Sequence, residues 1–95
     1  MDLNKSLRLA IDTGKVSVGA NQSSKAINSG SAKLVILSSN CPEETVTIAN
    51  GGETPVYSFS GNNAVLGAAC GKPFPVSIIA ILDGGKSDIL NLKAN

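Results

Sequence analysis

The arrangement of the chain follows from one stretch near its start, which reads Ser17-Val18-Gly19-Ala20-Asn21-Gln22-Ser23-Ser24-Lys25-Ala26-Ile27. The β-branched run at residues 16–18 predicts a short strand, and Gly19 permits a sharp turn at its end. A helix is predicted directly after this turn. Because residues three and four apart share one face of a helix, Asn21, Gln22 and Lys25 point the same way.

The start of this predicted helix has the chemistry of a site for a polar ligand. Its free N–H groups and partial positive charge suit a phosphate. An amide side chain can read a base edge, and a lysine on the same face can hold a phosphate. An ordinary strand-to-helix turn, capped by the Asn21 side chain, fits the same residues. Taken by itself, the stretch favours this structural interpretation, because short motifs often match by chance.

The composition indicates one globular domain. The 95 residues are 42% hydrophobic and only 3% aromatic, so aliphatic side chains must fill a single core. No charged and then apolar leader pattern is found at the start of the chain. The most apolar run, residues 76–82, is too short to cross a bilayer. We therefore expect an intracellular, cytoplasmic location.

The charges are few but unevenly distributed. Eight basic and seven acidic residues give a net charge of +1, which argues against extensive coating of phosphates. Lys15, Lys25 and Lys33 occur between residues 13 and 39 without an acid, and the next thirty or so residues carry acids without a base. This segregation predicts one basic face on the folded protein. A chance distribution of so few charges is the alternative.

Residue types that carry catalysis or bind metals are scarce. The chain has no histidine, so the usual catalytic triads are excluded and a metal site lacks its commonest ligand. Cys41 and Cys70 form neither a CxxC pair nor a disulfide framework, and we expect both to be buried or half-buried, with a regulatory thiol as the alternative. Glu43-Glu44 is explained by the start of a helix. We expect no enzyme activity, no metal and no cofactor.

Helices and strands are predicted to alternate. The first helix carries an apolar stripe at residues 3, 7, 10 and 11, with Asp2 as its cap and Gly14 at its end. Further helices are predicted at about 21–28, 42–52, 62–70 and 87–92, and strands at 16–18, 33–37, 55–59 and 76–82. This alternation predicts an α/β fold, a three-layer α/β/α sandwich with a four-stranded mixed sheet. The most apolar strand, 76–82, is expected at its centre.

Two of these segments carry conflicting signals. Residues 45–48 are β-branched and alternate like a strand, but Asn40 is a possible cap, and Pro42 and Glu43-Glu44 suit the first turn of a helix. We interpret the segment as a short helix because its end signals are strong. Gly67 lies inside another predicted helix, where glycine is unfavourable. Something must approach it closely, and we expect the sheet, with a ligand as the alternative.

Three parts of the sequence resemble one protein family. They read Gly19-Ala20-Asn21-Gln22-Ser23-Ser24-Lys25-Ala26-Ile27 with Ala32-Lys33-Leu34-Val35-Ile36, then Leu66-Gly67-Ala68-Ala69-Cys70-Gly71-Lys72-Pro73-Phe74-Pro75-Val76-Ser77, and Ala80-Ile81-Leu82-Asp83-Gly84-Gly85-Lys86-Ser87-Asp88-Ile89-Leu90. The first part resembles the L-seven-Ae superfamily of kink-turn RNA-binding proteins. The other two resemble its L-thirty-e branch, from the large ribosomal subunit of archaea and eukaryotes. The resemblance covers nearly the whole chain and implies the same α/β/α sandwich.

The resemblance also implies a site. Members of the family bind a sharply bent RNA internal loop that has sheared G·A pairs and an extruded base. By resemblance, the segment from Gly19 to Lys25 starts the recognition helix. The loop with Phe74 and Val76 packs on RNA bases, and Lys72 lies near it for phosphate. The RNA-binding residues implied are Gly19, Ala20, Asn21, Gln22, Lys25, Asn40, Lys72, Phe74 and Val76. Since prolines flank Phe74, we expect this side chain in a stiff loop, either anchored in the core or presented outward. The resemblance implies that it is partly exposed, on the side of Asn21 and Lys25.

These observations predict a single RNA-binding domain spanning residues 1–95. The resemblance implies a non-catalytic component of the large ribosomal subunit, which binds a kinked internal loop of rRNA and contacts neighbouring ribosomal proteins. It implies no membrane and no small-molecule substrate. Two alternatives stay open, a kink-turn-binding subunit of a guide RNA complex and a small-molecule-binding α/β domain. The second would need a polar pocket with perturbed titratable groups, for which this chain offers few candidates.

Overall fold

Helices and strands alternate along residues 3–52 and 54–91, which the computed structural model of the protein describes. The elements are α1 (Leu3–Thr13), β1 (Lys15–Val18), α2 (Ala20–Asn28), β2 (Leu34–Leu37), α3 (Glu43–Ala49), β3 (Val56–Ser58), α4 (Asn63–Ala69), β4 (Ile78–Asp83) and a 3-10 turn (Ile89–Asn91). The predicted α/β class is confirmed. α1 ends before Gly14 as predicted, whereas its predicted cap, Asp2, lies outside the described residues.

The four strands form one mixed sheet in the order β1-β4-β2-β3. β4 runs antiparallel to both of its neighbours, with Ile79 opposite Val18 of β1 and Ile36 of β2. β3 runs parallel to β2, where Val56 lies opposite Val35. β4 therefore lies between two partners, which confirms the central position that its apolar sequence predicts.

The sheet has a core on each of its faces. Along β2 and β4 alternate side chains point to opposite faces, and all four residues of β2 are buried. One core contains Leu34, Ile36, Ile79 and Ile81 together with residues of α1 and α4. The other contains Val35, Leu37, Ile78 and Ala80 together with residues of α2 and α3. Helices thus cover both faces of the sheet, as the three-layer prediction requires.

The segment with mixed signals after Asn40 is a helix, as predicted. Pro42 has extended backbone angles, φ −61° and ψ 151°, and α3 begins directly after it. Thr45 and Ala49, four residues apart, are the buried residues of this helix. Burial of this face outweighs the strand preference of the β-branched residues. The Asn40 cap is wrong, because Pro42 occupies the N-cap position and the Asn40 side chain bonds elsewhere.

Two elements have other bounds in the structure than predicted. β4 begins at Ile78 and not at Val76, because the N–H of Val76 donates to the carbonyl of Asn63 in α4, at 2.9 Å, and not to a strand. In the described part of the predicted last helix, 87–92, a 3-10 turn spans Ile89–Asn91, and Leu92 lies outside the described residues. The N–H of Ile89 donates to the Ser87 hydroxyl at 3.1 Å, and Ile89 is fully buried.

Candidate functional site

The predicted site residues converge on one edge of the sheet. β1, β2 and β3 end at this edge and β4 begins there, because β4 is antiparallel to β1 and β2 while β3 is parallel to β2. Two backbone bonds join the loops that leave the edge. The N–H of Gly19 donates to the carbonyl of Ile78 at 3.0 Å, and the N–H of Ser38 donates to that of Ser77 at 2.9 Å.

Gly19 forms the turn between β1 and α2. Its φ of 95° lies in the region that only glycine adopts readily, and an added Cβ would meet no atom within 4 Å. The glycine is therefore required by backbone angle, and the surface above it is open. The first helical bond of α2 runs from the N–H of Ser23 to the carbonyl of Gly19, at 3.0 Å. The N–H groups of the three preceding residues thus point out of the helix end.

α2 presents its polar face to solvent. Asn21, Gln22 and Lys25 are exposed, whereas Ser23, Ala26 and Ile27 are buried against the sheet. The alternative in which Asn21 caps this helix is wrong, since Gly19 is the N-cap and no side chain caps the end. Within the described residues, no hydrogen bond or ion pair occupies the three exposed side chains.

The loop before β4 presents Phe74 to solvent. The Phe74 residue is 51% exposed, in agreement with the predicted partial exposure, and both neighbouring prolines are exposed. Lys72 is half-buried beside it. This loop and the start of α2 line one open groove of about 390 Å³, which brings together Gly19, Ala20, Lys72, Phe74, Pro75 and Ser77. The structure therefore places the two predicted segments side by side.

Val76 lies below this surface. The residue is only 3% exposed, and its side chain packs in the core between the sheet, α1 and α4. A side chain in this position supports the loop from below and offers little surface for packing on a base. Val76 nevertheless lines the groove beside Phe74, so its part in RNA binding stays a prediction.

Asn40 joins the end of β2 to the start of α4. Its Oδ1 accepts a hydrogen bond from the N–H of Asn63 at 2.8 Å and from the Ser38 hydroxyl at 3.2 Å, and its Nδ2 donates to Asn63 Oδ1 at 3.3 Å. Asn62 caps α4, its side chain accepting from the N–H of Val65 at 3.0 Å. Asn40 remains exposed but does not line the groove beside Phe74.

The sequence analysis did not identify Thr45 and Ser77 as neighbours of the site. Thr45 reaches the groove from α3, and Ser77 lines it just before β4. Thr45 has no local signal in the sequence, because only the packing of α3 brings it to the groove. Contacts between residues that are distant in the sequence can be detected from sequences only through co-varying positions.

The lysines do not form the single basic face that their segregation predicts. Lys15 begins β1 and lies opposite Asp83 in the register of β1 with β4. Just before β2, the N–H of Lys33 donates to the carbonyl of Ile81. Both therefore lie at the opposite edge of the sheet. Lys72 lines the groove, and Lys25 is exposed on α2, the helix whose first residue lines it.

The two cysteines have the predicted environments. Cys41 is half-buried and Cys70 is buried. Burial raises the pKa of the Cys70 thiol from 9.0 to about 11, against the smaller opposing effect of Lys72 and Arg8. In the described ranges no three histidine, cysteine or acidic residues are placed to hold a metal ion, and no helix there is long and apolar enough to span a membrane.

Comparison with known proteins gives the chain its relatives. Residues 1–91 match the Ribosomal protein L7Ae/L30e/S12e/Gadd45 family. The chain is 50% identical over 93 residues to the large ribosomal subunit protein eL30 of Methanospirillum hungatei, with 97% of this chain and 98% of that protein covered. It is 47% identical to the protein of the same name from Methanoregula boonei, covering 98% and 97% of the two chains. The corresponding identity for Methanosarcina mazei is 46%, over 95% of this chain and 87% of that one. The chain therefore belongs to the Ribosomal protein L7Ae/L30e/S12e/Gadd45 family.

Proposed function

We propose that this protein is a non-catalytic, RNA-binding component of the large ribosomal subunit, and hence acts in the cytoplasm. The names of its relatives support this assignment, because the sequences of those proteins align with this chain along most of their length. The whole chain, residues 1–95, then acts as one RNA-binding domain, in contact with rRNA and with neighbouring ribosomal proteins. The observation that carries the proposal is the groove shared by the start of α2 and the Phe74 loop.

The RNA partner that fits this groove is an internal loop with a sharp bend and an extruded base. An unpaired base has a free face that stacks on an aromatic ring, and the half-exposed Phe74 supplies one. A bend brings a second strand within reach of the neighbouring helix. There the amides of Asn21 and Gln22 have both a donor and an acceptor for base edges.

Phosphate contacts complete this mode of binding. Lys72 provides positive charge in the groove and Lys25 provides it on the exposed face of α2, and the N–H groups at the start of α2 favour an anion. The space above Gly19 is open for close approach to the backbone, and Ala20 lines the groove beside it. Asn40 contributes the remaining N–H of its amide, and Val76 contributes support for the loop below Phe74.

Binding to matched RNAs tests this proposal. We expect the protein to bind a kink-turn RNA at least tenfold more tightly than a plain duplex of equal length, measured by fluorescence anisotropy at several salt concentrations. Lys33→Ala is a matched control for Lys25→Ala, because both lysines are exposed but Lys33 lies at the opposite edge of the sheet. Equal affinity for both RNAs would overturn the kink-turn assignment.

Sedimentation of a cell lysate at moderate and high salt tests the location. We expect the protein to migrate with large ribosomal subunits. Migration with small guide RNAs would instead support a guide RNA complex, and free protein at both salt concentrations would favour a small-molecule-binding domain.

A further inference from the structure

We propose that Gly67 is a positioning residue for RNA binding, because its missing side chain lets the loop of residues 72–76 dock on α4 with Phe74 directed outward. The inference rests on the proposed function, for which Phe74 is a contact residue. Gly67 itself is buried and does not line the groove. It acts through the path of the loop backbone.

The space at Gly67 is filled by the backbone of this loop and not, as the sequence analysis expects, by the sheet. A Cβ added to Gly67 would overlap the carbonyl oxygen of Phe74, and would lie 3.2 Å from the Phe74 carbonyl carbon and 3.3 Å from the Cα of Pro75. These are main-chain atoms, which cannot rotate aside as the end of a side chain can. The φ of Gly67 is not positive, so alanine suits the backbone there and only space excludes it.

Two hydrogen bonds hold the loop in this position. The N–H of Lys72 donates to the carbonyl of Gly67 at 3.0 Å, and the N–H of Val76 donates to that of Asn63 at 2.9 Å. Asn63 and Gly67 are one helical turn apart, so the loop is fastened to α4 on both sides of Phe74. The Phe74 main chain faces α4 while its residue remains 51% exposed.

Such a docked loop reduces the cost of binding. Prolines on both sides of Phe74 already restrict the backbone, and the contact with Gly67 fixes its position relative to α4. A ring that is held in place before RNA arrives loses little freedom on stacking, which is how preorganisation raises affinity. A methyl group at residue 67 pushes the loop outward and removes this advantage. Alanine at the same position favours the helix itself, so α4 is retained.

A double-mutant cycle with Gly67→Ala and Phe74→Ala tests the inference. We expect each single variant to weaken kink-turn binding, by about 5- to 150-fold for the loss of one stacking contact. If Gly67 acts through Phe74, the double variant binds no more weakly than Phe74→Ala alone. Multiplied losses in the double variant, or wild-type affinity in Gly67→Ala, would overturn the inference. Val65→Ala is the matched control, since it also introduces alanine into α4 and favours the helix, at an exposed position that does not line the groove with Phe74.

Amide hydrogen exchange provides a measurement that does not depend on RNA. In the wild-type protein, the amides of Lys72 and Val76 should exchange as slowly as that of Cys70, which bonds within α4. In Gly67→Ala their protection should fall while that of Val35 and Phe59, in bonds between β2 and the β3 segment, is unchanged. Intact protection in this variant, or fast exchange in the wild type, contradicts the docked loop. Failure of the wild type to prefer a kink-turn RNA would instead count against the proposed function.

Discussion

Truncation of Phe74 to alanine separates a role in RNA binding from a role in the core. Full burial of a phenylalanine side chain contributes about 1.5–3 kcal/mol. Because the Phe74 residue is 51% exposed, the truncation should remove only about half of this, near 1 kcal/mol. For a domain of this size, that loss lowers Tm by roughly 4–8 °C. The loss of one stacked base should weaken binding by about 1–3 kcal/mol, or roughly 5- to 150-fold in Kd.

Phe59→Ala is the matched comparison for this experiment. Phe59 is only 5% exposed and belongs to the core beside α4, so its truncation should cost about 3–5 kcal/mol of stability. Calorimetry and fluorescence anisotropy on the same protein preparations give Tm and Kd for both variants. We expect a small fall in Tm and a large rise in Kd for Phe74→Ala. A fall in Tm as large as that of Phe59→Ala, with RNA affinity retained, would refute the assignment of Phe74 to the RNA-binding surface.

Three further results follow from the site. Lys25→Ala should lower the salt slope of RNA binding by about 1 without changing which RNA is preferred, whereas Lys33→Ala should change neither, as shown by titrations at several salt concentrations. Asn21→Ala and Gln22→Ala should each reduce discrimination between kink-turn and duplex by about 1–3 kcal/mol, at unchanged Tm because neither residue caps α2. Since burial raises the pKa of Cys70 from 9.0 to about 11, its contribution to stability should be constant below pH 9.0 and decline as pH rises towards 11, measured by urea unfolding against Cys70→Ala.

Each of these expectations has an outcome that contradicts it. An unchanged salt slope would remove Lys25 from the interface. Equal weakening of both RNAs would show that Asn21 and Gln22 do not read bases. A wild-type stability that follows that of Cys70→Ala between pH 9.0 and 11 would show that the Cys70 thiol does not titrate with a raised pKa.

Local signals in the sequence predicted the elements and their order. The apolar runs that became β2 and β4 are buried on both faces of the sheet, and this pattern needs no knowledge of partners. α3 was predicted from its ends, and the prediction was correct although residues 45–48 favour a strand. Gly19 was identified as a turn because its conformation is a property of one residue.

Features that depend on distant contacts were missed or predicted wrongly. The neighbour of Gly67 is a loop seven residues later and not the sheet, and the bond from the N–H of Val76 to the carbonyl of Asn63 delays the start of β4. Asn40 and Asn63 are 23 residues apart in sequence, so no periodic pattern links them. Lys15 lies away from the groove because the sheet carries the start of β1 to the opposite edge. All of these features depend on how the strands and helices are arranged in space, and local patterns in a single sequence do not reveal that arrangement.

The strand order has a consequence for protein synthesis. β1 pairs only with β4, and β2 reaches β1 only through β4, so parallel pairing of β2 with β3 is the one sheet contact available until residues 78–83 have been made. The bond that fixes Gly19 also ends on Ile78. A nascent chain that already exposes Asn21 and Lys25 therefore has no formed groove in which to use them. If RNA binds at this groove, as we propose, we expect incomplete chains not to occupy RNA sites until the sheet has closed.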